Sequence, residues 1–256
     1  MLTVFDDVFI VALCVLASLG FLWVLRFVWP SALRREHNEI IGWQVSVLGT
    51  TYAVIMGFML YAVWTDFTAA DINANAEANS LVNVFRLAEG LPEAQRDQIQ
   101  TLAREYADTM VNGEWPAMHN GQLGEGGHPI LQQLWSEAIH VQPANASEQA
   151  SQGEMLAQIS AMSHSRRLRE LQSQSKLPTI LWVMLIVGGV ITTLSSCLFG
   201  TDNFKLHMIQ VVSLSFLLSL ALVAIGDIDR PFQGTVHVKP TGFAHALDIF
   251  AEPRAR

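Results

Sequence analysis

The chain has 256 residues and a formal net charge of −8; 51% of its residues are apolar and only 15% are charged, where soluble domains carry about 25%. With a mean hydropathy of +0.31 and a pI near 5.4, this composition excludes a disordered chain and an ordinary soluble enzyme, and it offers no basic footprint for nucleic acid. Cys14 and Cys197 both lie in apolar runs, so neither a disulfide framework nor a zinc cluster is available.

Four stretches carry no Asp, Glu, Lys or Arg: Val8–Leu25, Ile40–Thr65, Leu177–Thr201 and Leu206–Gly226. A helix needs about 20 residues to cross the hydrocarbon core, and in lipid each backbone polar group must be bonded within its own segment. Each run is therefore predicted as a membrane helix. The first lacks a basic n-region and is preceded by Asp6 and Asp7, which argues for a mature helix over a signal peptide. It extends to Trp29, with Arg26 snorkelling, and Pro30 ends it. Trp23, Trp43, Trp64 and Trp182 fall near run ends, as interfacial aromatics do.

The second run holds Gly42, Gly49 and Gly57, small residues that let another helix approach closely or serve ordinary packing. No proline interrupts Trp64 to Gly90, so this helix is predicted to continue well past the bilayer. Residues 66–176 hold 14 Asp and Glu against 7 Lys and Arg and read as a helical soluble domain. Leu91-Pro92-Glu93 restarts a helix with proline in its first turn, on which Ile99, Leu102, Tyr106 and Met110 form one stripe ended by Gly113-Glu114-Trp115-Pro116. A loop over His119–Pro129, a short helix over Pro129–His140 and a polar break over Val141–Ser147 follow. Glu148–Lys176 is predicted as a long helix running straight into the third span, and His207, one residue inside the fourth run, is placed at the interface.

The predicted architecture is an all-α membrane protein with four transmembrane helices and a helical soluble domain inserted between the second and third. Its segments are 1–65, 66–176, 177–226 and a C-terminal tail 227–256. With both termini and residues 66–176 cytoplasmic, 11 of the 15 Lys and Arg lie inside, and Arg166, Arg167, Arg169 and Lys176 sit just before the third helix, where the positive-inside rule counts most. Arg34 and Arg35 in the short first loop oppose that orientation.

Chemistry is sparse. His119, His128, His140 and His164 form no i, i+4 pair with an acidic ligand set. Gly121 to Gly127 is a glycine-rich turn without a phosphate-loop lysine, and Asn145-Ala146-Ser147 matches a glycosylation acceptor by three residues only. No enzyme, cofactor or metal site is expected.

After the fourth run comes Gly226-Asp227-Ile228-Asp229-Arg230-Pro231-Phe232-Gln233-Gly234. Here the chain resembles the bestrophin-like membrane proteins, in a divergent prokaryotic branch. That family carries two membrane helices, a helical cytoplasmic domain and two more membrane helices. An acidic residue and Pro-Phe-Gly follow its fourth helix, matched by Asp229, Pro231, Phe232 and Gly234 with one residue inserted on each side of Pro-Phe. The family's pore neck, bulky-x-x-Gly-Phe, has its counterpart in Val54-Ile55-Met56-Gly57-Phe58, and Glu77-Ala78-x-x-Leu81 with Arg86-Leu87-Ala88 is similar to the stretch after the neck. Two features depart: Trp64-Thr65-Asp66-Phe67 replaces an aromatic-basic cluster, and of the calcium-clasp acidic run only Asp227 and Asp229 stand nearby, so calcium gating is not carried over.

The resemblance implies an ion channel of the bacterial inner membrane, a homopentamer with the second helix around a central pore, in contact with lipids and permeant monovalent ions. Thr50, Val54 and Phe58, one per turn on one stripe, are the expected hydrophobic neck. Continuing the stripe through Ala62 leads to Asp66, five copies of which would make an anionic ring favouring cations; alternatively Asp66 turns away and pairs with an arginine. The competing reading is a non-conducting, membrane-anchored partner-binding or sensory protein.

Overall fold

The computed structural model describes residues 4–252; the ends of the segments 1–65 and 227–256 lie partly outside the described residues. The elements are α1 (Val4–Val28), α2 (Ser31–Arg35), α3 (Asn38–Leu87), a 3-10 turn (Ala88–Gly90), α4 (Glu93–Thr109), a π-helical turn (Met110–Glu114), α5 (Trp115–His119), α6 (Gly127–His140), α7 (Ala146–Gln174), α8 (Thr179–Cys197), α9 (Phe204–Ile228) and α10 (Thr241–Ala251). Among the described residues there is no strand. Four helices are long and apolar enough to cross a membrane: Phe5–Val28, Asn38–Gly90, Thr179–Cys197 and Phe204–Ile228.

The chain divides into two compact units. The first comprises 1–65 and 176–229, the second 66–175 and 230–256. In the first unit α1 packs on α9 and α8. Leu22, Cys197 and Val211 form one small core, and Tyr52, Met56, Val63, Leu185 and Ile225 form another. Polar groups pin the ends of these helices. Arg34 Nη1 donates to the Cys197 carbonyl at 2.7 Å, and Asn38 exchanges two hydrogen bonds with the Gly200 backbone at 2.9 Å. A Cβ on Gly200 would collide with the backbone of Ser31 and Arg35, so the loop can close only on glycine.

His207 turns its ring into the protein. It is buried, 3% exposed, with Nε2 3.1 Å from the Ser196 carbonyl. Together with Arg34 it satisfies carbonyls at the end of α8 that have no partner within the helix.

The second unit gathers the remainder of α3, α4 to α7 and α10 around Leu81, Ile99, Tyr106, Leu134, Met155, Ile159 and Phe243. α3 runs without a break to Leu87, as the absence of proline predicts. The stripe on α4 does not end at Gly113. A π-helical turn carries the chain on into α5 and turns Glu114 inward, 1% exposed. Nor does α7 run into the third span: it stops at Gln174, Ser175 is extended, and Pro178 caps α8 from outside, because the residue before a proline is driven out of helical geometry. α10 is absent from the sequence reading altogether. It packs Phe243, Ala246 and Phe250 into the core, with Phe250 stacked on Phe85 at 4.2 Å. Burying a side chain of that size stabilises by about 1.5–3 kcal/mol.

Candidate functional site

The candidate neck lies on α3 within the first unit. One side of this helix packs. Tyr52 is 4% exposed, Met56 8% and Val63 2%, and on an ideal helix at 100° per residue they share one face. Tyr52 fixes the rotation: its hydroxyl donates to the Leu185 carbonyl at 2.8 Å, and its ring lies where a Cβ on Gly188 or Gly189 would sit. The aromatic ring thus occupies a notch that two consecutive glycines open in α8.

Thr50, Val54 and Phe58 point the other way, about 160°, 200° and 240° around the helix from Tyr52. All three are exposed, Val54 at 53% and Phe58 at 65%. An added Cβ at Gly49 or Gly57 would meet nothing within 4 Å. A half-turn of apolar and small residues on the longest helix is therefore left uncovered by its own unit.

Asp66 is exposed too. It falls about 160° around the helix from Thr50, on the flank of the packing face rather than along the stripe.

The residues after α9 act within each unit. In the first, Asp229 accepts from Leu177 N–H at 2.8 Å and from Trp182 Nε1 at 3.4 Å, joining the end of α9 to the start of α8. In the second, Pro231 and Phe232 are buried, and Phe232 meets Trp115 edge-on at 5.9 Å. Val238 N–H donates to the Pro231 carbonyl at 2.7 Å and Trp115 Nε1 to the Val238 carbonyl at 3.0 Å. Gly234 has φ +79°, a conformation that glycine adopts without strain.

A buried ionic network in the second unit escapes the sequence reading. Arg169 donates through Nε to Glu77 at 2.7 Å and through Nη2 to Glu77 at 3.1 Å and Glu114 at 3.0 Å. Arg166 holds Glu114 with two bonds, at 2.8 and 3.1 Å. The Tyr106 hydroxyl donates to Glu77 at 2.5 Å and accepts from Arg166 at 3.1 Å. Glu114 also accepts from Gly127 N–H at 2.8 Å, and a Cβ on Gly127 would strike Met110, Arg166 and Glu114, which explains that glycine at the end of the glycine-rich turn.

Burial opposes the charge on Glu114, but hydrogen bonds and charges from Arg166 and Arg169 prevail and hold its carboxyl below the usual range. Burial, followed by the charge of Glu77, pushes the Tyr106 hydroxyl well above its ordinary value. Burial likewise disfavours the Arg169 cation, yet Glu77 and Glu114 hold it protonated. Arg166 Nε also pairs with Glu170 at 2.9 Å, so two guanidinium groups meet three carboxylates with their donors satisfied, and the cluster serves as a structural lock. The signal was present: Met155, Ile159, Met162, Arg166 and Arg169 continue one helical stripe at spacings of four and three, and an arginine on a buried stripe needs a carboxylate. Arg166 and Arg169 consequently contribute nothing to a headgroup-facing basic cluster, which reduces to Arg167 and Lys176.

Asn145, the glycosylation-pattern residue, caps α7 by accepting from Glu148 N–H at 2.9 Å. Among the described residues no group of three or more His, Cys, Asp or Glu is placed to hold a metal.

Four apolar spans and a charge-locked helical unit define a multi-span, all-helical membrane protein. Residues 12–243 match the model of the Bestrophin-like domain, and the chain belongs to the bestrophin-like family. It is similar in fold to bacterial bestrophin homologues from Klebsiella pneumoniae. One, a singly substituted form, shares 15% identity at a TM-score of 0.71 and covers 96% of this chain and 100% of its own. Another shares 16% at 0.70, covering 96% and 99%. A third, also substituted, shares 17% at 0.67, covering 96% and 100%. Among curated proteins no sequence matches.

Proposed function

We propose that the chain assembles as a homopentamer in the bacterial inner membrane and forms a cation-permeable channel, with Thr50, Val54 and Phe58 of each subunit facing a common axis as a hydrophobic neck. The observation that carries this reading is the uncovered face of α3. The Tyr52–Gly188 contact fixes the helix rotation, and the side turned away from it is apolar and half or more exposed at Val54 and Phe58. A constriction lined by such side chains conducts only when it wets. Both termini and residues 66–176 lie on the cytoplasmic side.

Selectivity comes from acid near the end of the neck. Asp66 is exposed on the flank of the packing face, about 80° around the helix from Phe58, so its carboxylate acts on passing ions through its field rather than as part of the wall. Rings of carboxylates concentrate cations, and without a carbonyl-lined filter little discrimination between Na⁺ and K⁺ is expected.

The purified chain should run as a pentamer in detergent and carry current in planar bilayers. In a salt gradient its reversal potential should lie toward that of the cation. Asp66→Asn and then Asp66→Lys should move it progressively toward the anion. A monomer or dimer leaves no axial pore and would overturn the channel; a silent pentamer would favour a partner-binding or sensory role; an unmoved reversal potential would release Asp66 from selectivity.

A further inference from the structure

The first unit holds a second feature, unrelated to the neck. α1, α8 and α9 enclose an apolar groove of about 550 Å³. Its lining runs from Asp7 to Ser18 on α1, from Trp182 to Leu194 on α8, and from Gly226 back to Ser215 on α9. On each helix that is a length of about 16–18 Å, roughly half of the ~30 Å hydrocarbon core. At the inner end Ser18 Oγ donates to Ser215 Oγ at 3.1 Å and draws α1 onto α9. The groove is therefore one leaflet deep. An acyl chain fits that depth, whereas a membrane helix from a second copy needs a seat about twice as long.

Small side chains open the space: Ala17, Gly189 and Ser219 lie in the lining between bulkier neighbours. The headgroup is selected by charge. Among the described residues Asp7 is the only charged one in the lining. Among the described residues no Lys, Arg or His lines the groove.

We infer that this groove binds a phospholipid with an ammonium headgroup, a phosphatidylethanolamine. Its ammonium sits on Asp7, and one acyl chain runs along α8 to the Ser18–Ser215 contact. The same carboxylate repels phosphatidylglycerol.

The test is to purify the assembled protein in mild detergent from a bacterial membrane holding both lipids and to quantify what is retained by mass spectrometry. The ratio of phosphatidylethanolamine to phosphatidylglycerol should exceed that of the membrane by about fivefold, the scale of one interfacial charge. Asp7→Lys should bring it to or below the membrane ratio. Cys14→Trp, which fills the groove from an exposed lining position, should release the lipid without changing the elution volume. A wild-type ratio equal to that of the membrane would overturn the inference, as would an enrichment that survives both substitutions.

Should a variant fail to fold, the wild-type ratio still decides. So does a short photocrosslinker on Cys14, directed there because Cys197 is buried. Capture of phosphatidylethanolamine supports the assignment. Crosslinking of two chains overturns it and gives the groove to a second copy.

Discussion

Arg169 is 1% exposed and bonds two carboxylates from different elements, Glu77 on α3 and Glu114 in the π-helical turn. Removing one partner from such a cluster leaves a buried charge uncompensated, which costs about 3–5 kcal/mol, so Arg169→Met should lower the stability of the second unit by that amount in denaturant unfolding. Acid should act on the same lock. The folded carboxyl of Glu114 is held below its ordinary value, so its contribution is complete above the unfolded value, near 4.3, and is lost as pH falls through the lower folded one. Thermal stability followed downward from pH 6 should therefore decline in the parent, and Glu114→Gln, less stable at pH 6, should show a shallower decline. An equal slope in both would assign the acid sensitivity to other carboxylates. The charges themselves were visible in the sequence. Their burial was not, because a cluster such as Arg166, Arg167 and Arg169 before a membrane span reads equally well as an interfacial one until the apolar stripe on α7 is extended through it.

At the scale of elements, α3 depends on α8 for its rotation. The Tyr52 ring occupies the space above Gly188, and a Cβ there would fall 2.6 Å from a ring carbon. Gly188→Val should push Tyr52 out of the notch, turn α3 and change the unitary conductance, while Gly153→Val, where an added Cβ meets nothing within 4 Å, should leave the current unchanged. An unaltered conductance in Gly188→Val would mean that this contact does not set the face of α3. The length of α3 was legible because no proline or glycine cluster interrupts it before Gly90. The stop between α7 and α8 was legible only in part: Pro178 marks a helix start, but the apolar run from Leu177 masks the extended residue before it. α10 was missed because its eleven residues are too short a run to register as a span, although Phe243, Ala246 and Phe250 stand at helical spacings of three and four. The π-helical turn has no sequence signature, since Gly113 and Pro116 mark a helix end equally well.

For the molecule as a whole, the apolar runs were legible because lipid imposes so strict a demand on length and polarity, and the bestrophin-like family now matches residues 12–243. Position on a helix face was harder to extract. Thr50, Val54 and Phe58 emerge on one exposed face because the packing side of α3 is defined by its partner residues on α8. Asp66 leaves that stripe because 3.6 residues per turn accumulate a drift over four steps of four residues. A channel requires that this face surround water. Single-channel recording of the purified protein in planar bilayers, parent against the Val54→Ala, Phe58→Ala double variant, tests this. Truncating both side chains should widen the constriction and weaken its dewetting, so the variant should show a larger unitary conductance at every voltage with the same elution volume. Currents indistinguishable from the parent would contradict a neck at these residues and place this face of α3 against lipid or a neighbouring helix.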